Sequence, residues 1–248
     1  MRIAAIADVH ANLAALEAVL ERIDRIGVDA ILCLGDTIGY HAEPAQAFDR
    51  VMQRATYVVA GNHDVDISAG REIAGTHGTA RLVQEWTRDQ LDAARLDALC
   101  ALPHSIDIAD AFTARHGSFL GNDPTTGYVT STMVEENLAA IAAGPRNVAF
   151  CGHTHVPMIS WLVEGKCGEP RVREGEIEWP EHAEAVLINP GAVGQPRDRD
   201  PRAAFAIVDF ERRTAAWHRV PYEIARTASA IHRAGLPAAL VERLMEGR

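Results

Sequence analysis

The sequence predicts an α/β fold with two β-sheets inside and helices outside, formed by one domain over residues 1–248. Residues 2–60 alternate between short apolar runs and helical periodicity, which is the pattern of parallel strands joined by helices. After Pro157 the pattern changes to short strand-like runs separated by turn residues, which indicates a second group of strands. The chain has no internal repeat and no recognisable linker, and 248 residues suffice for one sizeable core.

The N-terminal segment is predicted to run strand, helix, strand, helix, strand. Asn12 is placed to cap the first helix, whose apolar residues recur on one face, and Gly27 is placed to end it. Pro44 begins the second helix at a first-turn position that tolerates proline. The three predicted strands are residues 2–7, 30–34 and 56–60.

The middle of the chain is predicted to alternate loops with helices. Two segments rich in polar residues and glycine, 66–78 and 117–130, are expected to be loops. Residues 105–115 are expected to form two strands around a turn at Asp110. The predicted helices are residues 79–91, 92–102 and 132–143, the last capped by Thr132, and a further strand covers residues 147–151.

The C-terminal third is predicted to contain a hairpin insertion, further strands and two helices. Residues 158–163 and 171–179 flank a turn signal at 164–168, so we expect them to pair as a hairpin within about residues 158–180. The further strands are residues 185–188, 203–209 and 214–220, the last two as a pair. Two helices over about residues 222–246 are separated at Gly235-Leu236-Pro237.

Charge and composition exclude several classes of protein. The net charge of -10 argues against a broad nucleic-acid-binding surface, although bound metal ions can still attract an anionic substrate. The four cysteines form no CxxC pair, which argues against a zinc ribbon or a thioredoxin-like site. No apolar run approaches the ~20 residues of a membrane span and no signal peptide is visible, so we expect a cytoplasmic protein with no membrane partner.

Five short motifs carry residues suited to a metal centre. Each follows an apolar, strand-like run, and ligands of open α/β sheets bind at the carboxyl ends of strands. Imidazole and oxygen ligands without thiolate favour Mn, Fe, Zn or Ni over Mg or Ca, and a carboxylate can bridge two ions. The sequence therefore predicts two divalent metal ions, which suit phosphate ester hydrolysis by a bridging water or hydroxide. The motifs are Asp8-Val9-His10, Gly35-Asp36, Gly61-Asn62-His63-Asp64, His116-Gly117 and Gly152-His153-Thr154-His155.

The order of these motifs resembles the calcineurin-like metallophosphoesterase superfamily. The stretches GDTIGY at residues 35–40 and NPGAVGQPRD at residues 189–198 resemble its bacterial and archaeal phosphodiesterase-like branch, and the likeness covers about residues 2–209. The resemblance implies a four-layer α-β-β-α sandwich, in which two mixed β-sheets pack face to face with helices outside. It also implies two ligand sets that share Asp36: Asp8, His10, Asp36 and His155 for one metal, and Asp36, Asn62, His116 and His153 for the other.

Further residues are candidates for catalysis and substrate binding. His63 precedes Asp64, whose carboxylate could orient the ring and fix its tautomer, and the resemblance implies that His63 protonates the leaving oxygen or stabilises the transition state. Tyr40 and His41 lie just beyond Asp36 and are candidates to line the substrate entrance. Arg197 could contact an outer phosphate, or it could pair with Asp198 or Asp200.

Three functions are compatible with these residues. The first is a dinuclear phosphoesterase that hydrolyses phosphodiesters or phosphomonoesters of a small molecule or nucleotide. The second is a protein Ser/Thr phosphatase or dinucleoside tetraphosphate hydrolase, but such relatives carry Gly-Asp-x-Val-Asp-Arg-Gly, and here Gly-Asp-Thr-Ile-Gly-Tyr-His lacks that arginine. The third is a catalytically silent scaffold of the same fold, although such relatives lose ligands and here none is missing. Neither a GxxxxGK[ST] nor a GxGxxG motif occurs.

Overall fold

A computed structural model of the protein describes residues 1–73, 78–168 and 174–248, and two six-stranded mixed β-sheets form its centre. The strands of this described part are β1 (Arg2–Ile6), β2 (Ala30–Cys33), β3 (Tyr57–Val58), β4 (Ser105–Ile108), β5 (Phe112–Arg115), β6 (Val148–Phe150), β7 (Met158–Val163), β8 (Lys166–Cys167), β9 (Gly175–Glu178), β10 (Ala185–Asn189), β11 (Ala203–Asp209) and β12 (Thr214–Val220). The α-helices are α1 (Leu13–Ile26), α2 (Pro44–Arg54), α3 (Asn62–Ser68), α4 (Thr79–Asp89), α5 (Ala93–Cys100), α6 (Val134–Ala142), α7 (Ile224–Arg233) and α8 (Ala239–Glu246).

The two sheets have related orders. The first runs β3-β2-β1-β11-β12-β9, with β1, β2 and β3 parallel and the remaining neighbours antiparallel. The second runs β4-β5-β6-β10-β7-β8, with β5, β6 and β10 parallel. In each sheet three parallel strands lie beside antiparallel neighbours, so both sheets are mixed.

The central core lies between the two sheets. Ile3 and Val208 of the first sheet are buried in the same apolar cluster as Phe150 and Ile188 of the second. The rings of Phe112 and Phe150 meet edge to face with centroids 5.2 Å apart, a favoured aromatic geometry. This cluster places the sheets face to face.

Helices cover the outer face of each sheet. Leu16 and Leu20 of α1 pack with Phe205 and Ile207 on the outer side of the first sheet. Helix α6 covers the second sheet with Leu138 and Ile141. The predicted four-layer sandwich is confirmed. Among the described residues, no helix combines the length and the apolar character needed to cross a bilayer.

Local signals place the first helices where the sequence predicts them. The Oδ1 atom of Asn12 accepts a hydrogen bond from the Ala15 amide at 3.2 Å, which caps α1. Gly27 follows α1 with φ +76°, a conformation that favours glycine. Pro44 occupies the first turn of α2.

The predicted hairpin between residues 158–163 and 171–179 is wrong. Strand β7 instead pairs with β8 across the turn at Glu164-Gly165, and on its other side it pairs with β10. Strand β9 lies in the other sheet, against β12. Turn residues identify where a chain reverses, but they do not identify the sheet that the next segment joins. Residues 171–173 of the predicted hairpin lie outside the described residues.

Two local predictions also need correction. Residues 66–68, predicted as part of a loop, belong to α3. Asp64 stabilises the start of this helix by accepting a hydrogen bond from the Gly61 amide at 3.0 Å. Thr132 does not cap α6, since it lies within a 3₁₀ turn at Ser131–Met133 that precedes the helix. Residues 74–77 of the predicted loop lie outside the described residues.

We expect Phe150→Ala to lower the free energy of unfolding by ~3–5 kcal/mol, because it removes a fully buried ring from the core between the sheets. The measurement is urea unfolding followed by circular dichroism. Met52→Ala is the control, since Met52 is 44% exposed and its truncation should change stability by no more than ~0.5 kcal/mol. Equal losses in both variants would contradict the assignment of the central core.

Candidate metal centre

The candidate metal ligands lie in loops that follow parallel strands of both sheets. Three of these strands belong to the first sheet and two to the second, so the site spans the edge where the sheets meet. This is the carboxyl edge at which α/β sheets bind ligands. Asp8 follows β1, Asp36 follows β2, Asn62 begins the helix after β3, His116 follows β5, and His153 and His155 follow β6.

The charged and imidazole side chains form two groups that share Asp36. In each group the potential ligand atoms lie within 4.8 Å of one another. The Oδ2 atom of Asp36 lies 3.6 Å from Nε2 of His10 and 3.3 Å from Nε2 of His116. The Asp36 carboxylate has two oxygen atoms, so it could serve as a ligand to both ions of a metal pair. The groups are Asp8, His10, Asp36 and His155, and Asp36, His116 and His153.

Backbone carbonyls fix the orientation of three of the histidines. A ring nitrogen that donates to a carbonyl leaves the other nitrogen with a free lone pair, which is the form that binds a metal. In these three rings the free nitrogen is Nε2, and each Nε2 lies in the cluster near Asp8 or Asp36. The Nδ1 contacts are His10 to the Ile38 oxygen at 3.1 Å, His116 to the Leu34 oxygen at 2.7 Å and His155 to the Gln195 oxygen at 2.5 Å.

The backbone at the site is strained. Five of the ligand residues have φ values in the left-handed region, which costs a non-glycine residue ~1–3 kcal/mol and is concentrated at functional sites. Backbone hydrogen bonds hold the loops in this state: the Asp8 amide donates to the Gly35 oxygen at 3.0 Å and the His10 amide to the Asp36 oxygen at 2.8 Å. The φ values are 54° for Asp8, 47° for His10, 51° for Asp36, 66° for His153 and 61° for His155.

Buried oxygen atoms without hydrogen bonds point to a cation. Among the described residues, neither carboxylate oxygen of Asp8 has a hydrogen-bond partner, and neither does Oδ1 of Asn62. Burial raises the pKa of Asp8 to about 7, because a desolvated carboxylate without a partner disfavours its charge. A divalent cation would supply the missing partner, and the nitrogen and oxygen donors without thiolate fit Mn, Fe, Zn or Ni. The residues present therefore fit a metal pair.

The ionisation of the other ligands also suits metal binding. Burial alone would raise the pKa of Asp36, but the neighbouring histidines, with His116 first, outweigh it and hold that pKa well below its usual value. Burial lowers the pKa of His10 and of His155, which leaves both rings neutral at pH 7. Burial opposes the charge of His116 too, yet Asp36 raises its pKa to about 9, so a metal would displace a proton from this ring.

His63 is held by packing beside the ligands. Its ring centroid lies 4.8 Å from that of His10 and 4.8 Å from that of Tyr40. Gly39, with φ +94°, packs so closely that a Cβ atom there would lie 2.4 Å from Nδ1 of His63. The ring is therefore fixed by its neighbours, and it lines the cleft beside Asp36.

Asp64 does not orient the His63 ring, so that expectation is wrong. Both of its oxygen atoms accept backbone hydrogen bonds, from Thr37 at 2.9 Å, Ile38 at 3.2 Å and Gly61 at 3.0 Å. The Nδ1 atom of His63 has no hydrogen-bond partner among the described residues. Asp64 is buried, and its position ties the loop that carries Asp36 to the start of α3. Its role is that of a positioning residue.

A cleft of about 520 Å³ opens onto the ligand cluster. Tyr40 and Arg197 line it as expected, together with Asn62. His41 does not, because its side chain is fully buried and its Nδ1 contacts the His10 oxygen at 2.7 Å. The expectation that His41 lines the substrate entrance is therefore corrected: it supports the loop of His10 from behind.

Arg197 is not paired with the carboxylates near it in sequence. Its Nη2 atom donates to the Tyr40 hydroxyl at 3.4 Å, and its Nε has no partner among the described residues. This leaves phosphate contact as the open alternative for Arg197. The two carboxylates pair with other arginines, Asp198 with Arg219 and Asp200 with Arg202 at 2.6 Å.

Tyr128 and Arg243 line the cleft but were not identified individually from the sequence. Tyr128 stacks on His153 with centroids 4.1 Å apart and is 48% exposed. It lies in the segment 117–130, a loop that the sequence predicts to shape the cleft. Arg243 reaches the cleft from α8 and is one of several arginines in the C-terminal helices. Neither residue lies in a recognisable motif.

Comparison with known sequences decides the family. The sequence model of the calcineurin-like phosphoesterase superfamily domain matches residues 1–213. The chain belongs to this superfamily. The resemblance drawn from the five motifs is thereby confirmed, and membership supports a hydrolase of phosphoesters.

Proteins from bacteria and archaea resemble this chain. An uncharacterized protein of Methanocaldococcus jannaschii is 30% identical over 246 residues, which cover 99% of this chain and 98% of the relative. The crystal structure of a metallophosphoesterase from Sphaerobacter thermophilus has a TM-score of 0.87 and 38% identity and covers 100% of this chain and 99% of its own. A hypothetical protein from Pyrococcus horikoshii OT3, with a TM-score of 0.80, 18% identity and coverage of 100% and 98%, shares the fold.

We expect Asp36→Asn to bind much less metal and to lose nearly all activity, because Asp36 belongs to both ligand groups and the amide removes the charge that the two ions need. Metal content is measured by elemental analysis after loading with Mn²⁺ and desalting. Asp97→Asn is the control, since Asp97 is exposed on α5 and should keep the wild-type metal content. An Asp36→Asn variant with undiminished metal would contradict the shared-ligand assignment.

Proposed function

We propose that the protein is a dinuclear metal-dependent phosphoesterase that hydrolyses phosphodiester or phosphomonoester bonds of a phosphorylated small molecule or nucleotide. The observation that carries this proposal is the pair of buried ligand groups that share Asp36 at the base of an open cleft. In a family of phosphoesterases, such a pair is the arrangement that hydrolysis requires.

Seven side chains would hold the two ions. When bound, paired divalent ions would offset negative charge on the phosphate oxygens and provide activated water. The protein's own contribution is to keep the rings of His10 and His155 neutral and oriented and the shared carboxylate ionised, as the carbonyl contacts and charge environment support. His116 would lose its proton when a metal binds. The proposed ligands are Asp8, His10, Asp36, Asn62, His116, His153 and His155.

His63 is the proposed acid–base residue. It lies beside Asp36 on the cleft wall, within ring contact of His10 and Tyr40, where the leaving oxygen of a bound phosphoester would lie. Burial lowers the pKa of His63, which favours a neutral ring whose N–H donates a hydrogen bond to the leaving oxygen and stabilises the charge that develops there. Asp64 supports this role indirectly, because its hydrogen bonds fix the turn that carries His63.

Arg197 and Tyr40 are the proposed phosphate contacts. The Arg197 guanidinium lies against the Tyr40 hydroxyl at the edge of the ligand cluster, and a planar guanidinium suits phosphate oxygens. These contacts would orient the substrate, since phosphoester hydrolysis needs the nucleophile and the leaving group in line.

We expect chelation with EDTA to abolish cleavage of bis(p-nitrophenyl) phosphate and added Mn²⁺ to restore it, because the proposed nucleophile depends on the metal pair. The measurement is p-nitrophenolate release before chelation, after chelation and after metal addition. Restoration of p-nitrophenyl phosphate cleavage alone would replace the diesterase assignment with a monoesterase. Activity that survives chelation would reject a metal-dependent mechanism.

We expect His63→Ala to lower kcat by ~10²–10⁴ while both metals stay bound, because His63 acts on the leaving group and is not a ligand. Turnover and metal content are measured on the same Mn²⁺-loaded sample. His182→Ala is the control, since His182 is exposed and should leave both quantities unchanged. A fall in metal content in His63→Ala would make His63 a ligand.

A further inference from the structure

The cleft has a wall that lies beyond the family domain. The family match ends at residue 213, whereas Arg243 lies on α8 and lines the same cleft as Asp36, His63 and Arg197. The C-terminal helices therefore add a charged side chain to a site whose other members belong to the shared domain. Such a side chain is suited to substrate selection, because it lies outside both candidate ligand groups.

Helix α8 is held firmly against the loop of Arg197. Leu240 and Leu244 are buried in an apolar cluster with Val83 of α4. At the end of α8, the Gly247 oxygen accepts a hydrogen bond from the Arg199 amide at 2.9 Å. Gly247 has φ +62°, and a Cβ atom there would lie 2.7 Å from the Asp200 amide nitrogen. Arg243 therefore has a fixed place beside Arg197.

The two guanidinium groups both lie near Tyr40. The Tyr40 ring centroid is 4.6 Å from that of His10, and this contact joins it to the metal cluster. Nη2 of Arg197 lies 3.4 Å from the Tyr40 hydroxyl, and Cζ of Arg243 lies 5.5 Å from the Tyr40 ring centroid. Two positive charges thus line the cleft around a tyrosine that contacts the ligand cluster.

Neither guanidinium pairs with an aspartate or glutamate side chain in the described part of the chain. No Asp or Glu carboxylate there lies within 4.0 Å of Arg197 or of Arg243, and Nε of Arg243 donates to the main-chain oxygen of Arg248 at 3.1 Å. Asp66, an acidic residue of the same cleft, pairs with Arg71 at 3.0 Å. In a chain of net charge -10, two neighbouring arginines without an aspartate or glutamate partner leave a place for an anion from outside.

We infer that the substrate carries a second phosphate group beyond the one that is hydrolysed, and that Arg243 together with Arg197 selects it. This inference rests on the proposed function, because it takes the metal pair as the position of the scissile phosphate. A single phosphate at the metals can reach Arg197 beside Tyr40. Only a longer anion, such as an organic diphosphate, would also bind the guanidinium of Arg243 on the same wall.

The test compares binding of two ligands that differ by one phosphate. Calorimetry with the Mn²⁺-loaded protein measures the dissociation constants of AMP and of α,β-methylene-ADP, whose P–C–P linkage resists hydrolysis. Metal ions by themselves can bind a diphosphate more tightly than a monophosphate. The decisive quantity is therefore the ratio of the AMP and α,β-methylene-ADP dissociation constants, compared between the wild type and each variant. We expect Arg243→Gln to weaken α,β-methylene-ADP binding by at least ~10-fold and AMP binding by less than ~2-fold.

Matched variants separate selection from a loss of structure. Arg233→Gln removes the same charge from an exposed position on α7 and should leave both constants unchanged. Arg243→Lys keeps the charge without the planar fork and should give an intermediate ratio. Thermal melting of Arg243→Gln should match the wild type, which shows that α8 stays docked. Equal weakening of both ligands, or no change in their ratio, would overturn the inference.

Hydrolysis of bis(p-nitrophenyl) phosphate separates this inference from the proposed function. We expect the Mn²⁺-loaded Arg233→Gln control to cleave this single-phosphate substrate at the wild-type rate. If the wild type cleaves this substrate but Arg243→Gln does not change diphosphate binding, the inference is overturned and the phosphoesterase assignment stays intact. Wild-type protein that cleaves no phosphoester would overturn the proposed function itself.

Discussion

Two carboxylates buried near each other, Asp8 and Asp36, impose the constraint on which the rest of this structure depends. Both lie in a cluster in which two histidine rings, of His10 and His116, contact or approach both acids. A buried charge is costly unless it is paired. Among the described residues, neither oxygen atom of the Asp8 carboxylate has a hydrogen-bond partner. Cations would supply the missing partners, and a metal site would explain why imidazole and oxygen donors converge at one point.

The surrounding backbone is built to permit that convergence. Gly61 passes so near Asp36 that a Cβ atom would lie 2.1 Å from its Oδ1, and Gly35 passes so near Gly61 that a Cβ atom would lie 2.3 Å from the Gly61 nitrogen. The ligand residues accept left-handed backbone angles to aim their side chains inward. This backbone strain persists only because the two packed sheets fix the conformation of the loops that follow their strands. The stable sandwich and the strained site are thus parts of one arrangement.

The cleft draws its residues from two parts of the chain. The ligands and His63 come from strand ends and an adjoining helix start within the shared superfamily domain, whereas Arg243 comes from a helix beyond it. The docking of α8 on α4 and on the loop of Arg197 joins the two parts. A common hydrolytic centre and a separate selecting wall would allow the same chemistry to serve different phosphorylated substrates.

The sequence by itself determined the features that are written locally. Helical periodicity, the Asn12 cap and the Pro44 start locate α1 and α2, and the five motifs supply the donor atoms of the metal cluster, because residue type and short spacing fix both. Only the tertiary structure decided which sheet β9 joins, that Asp64 binds backbone amides instead of His63, that His41 is buried, and that Arg243 reaches the cleft. These outcomes depend on contacts between residues that are far apart in the chain. Local sequence patterns do not encode such contacts, which form only when the chain packs.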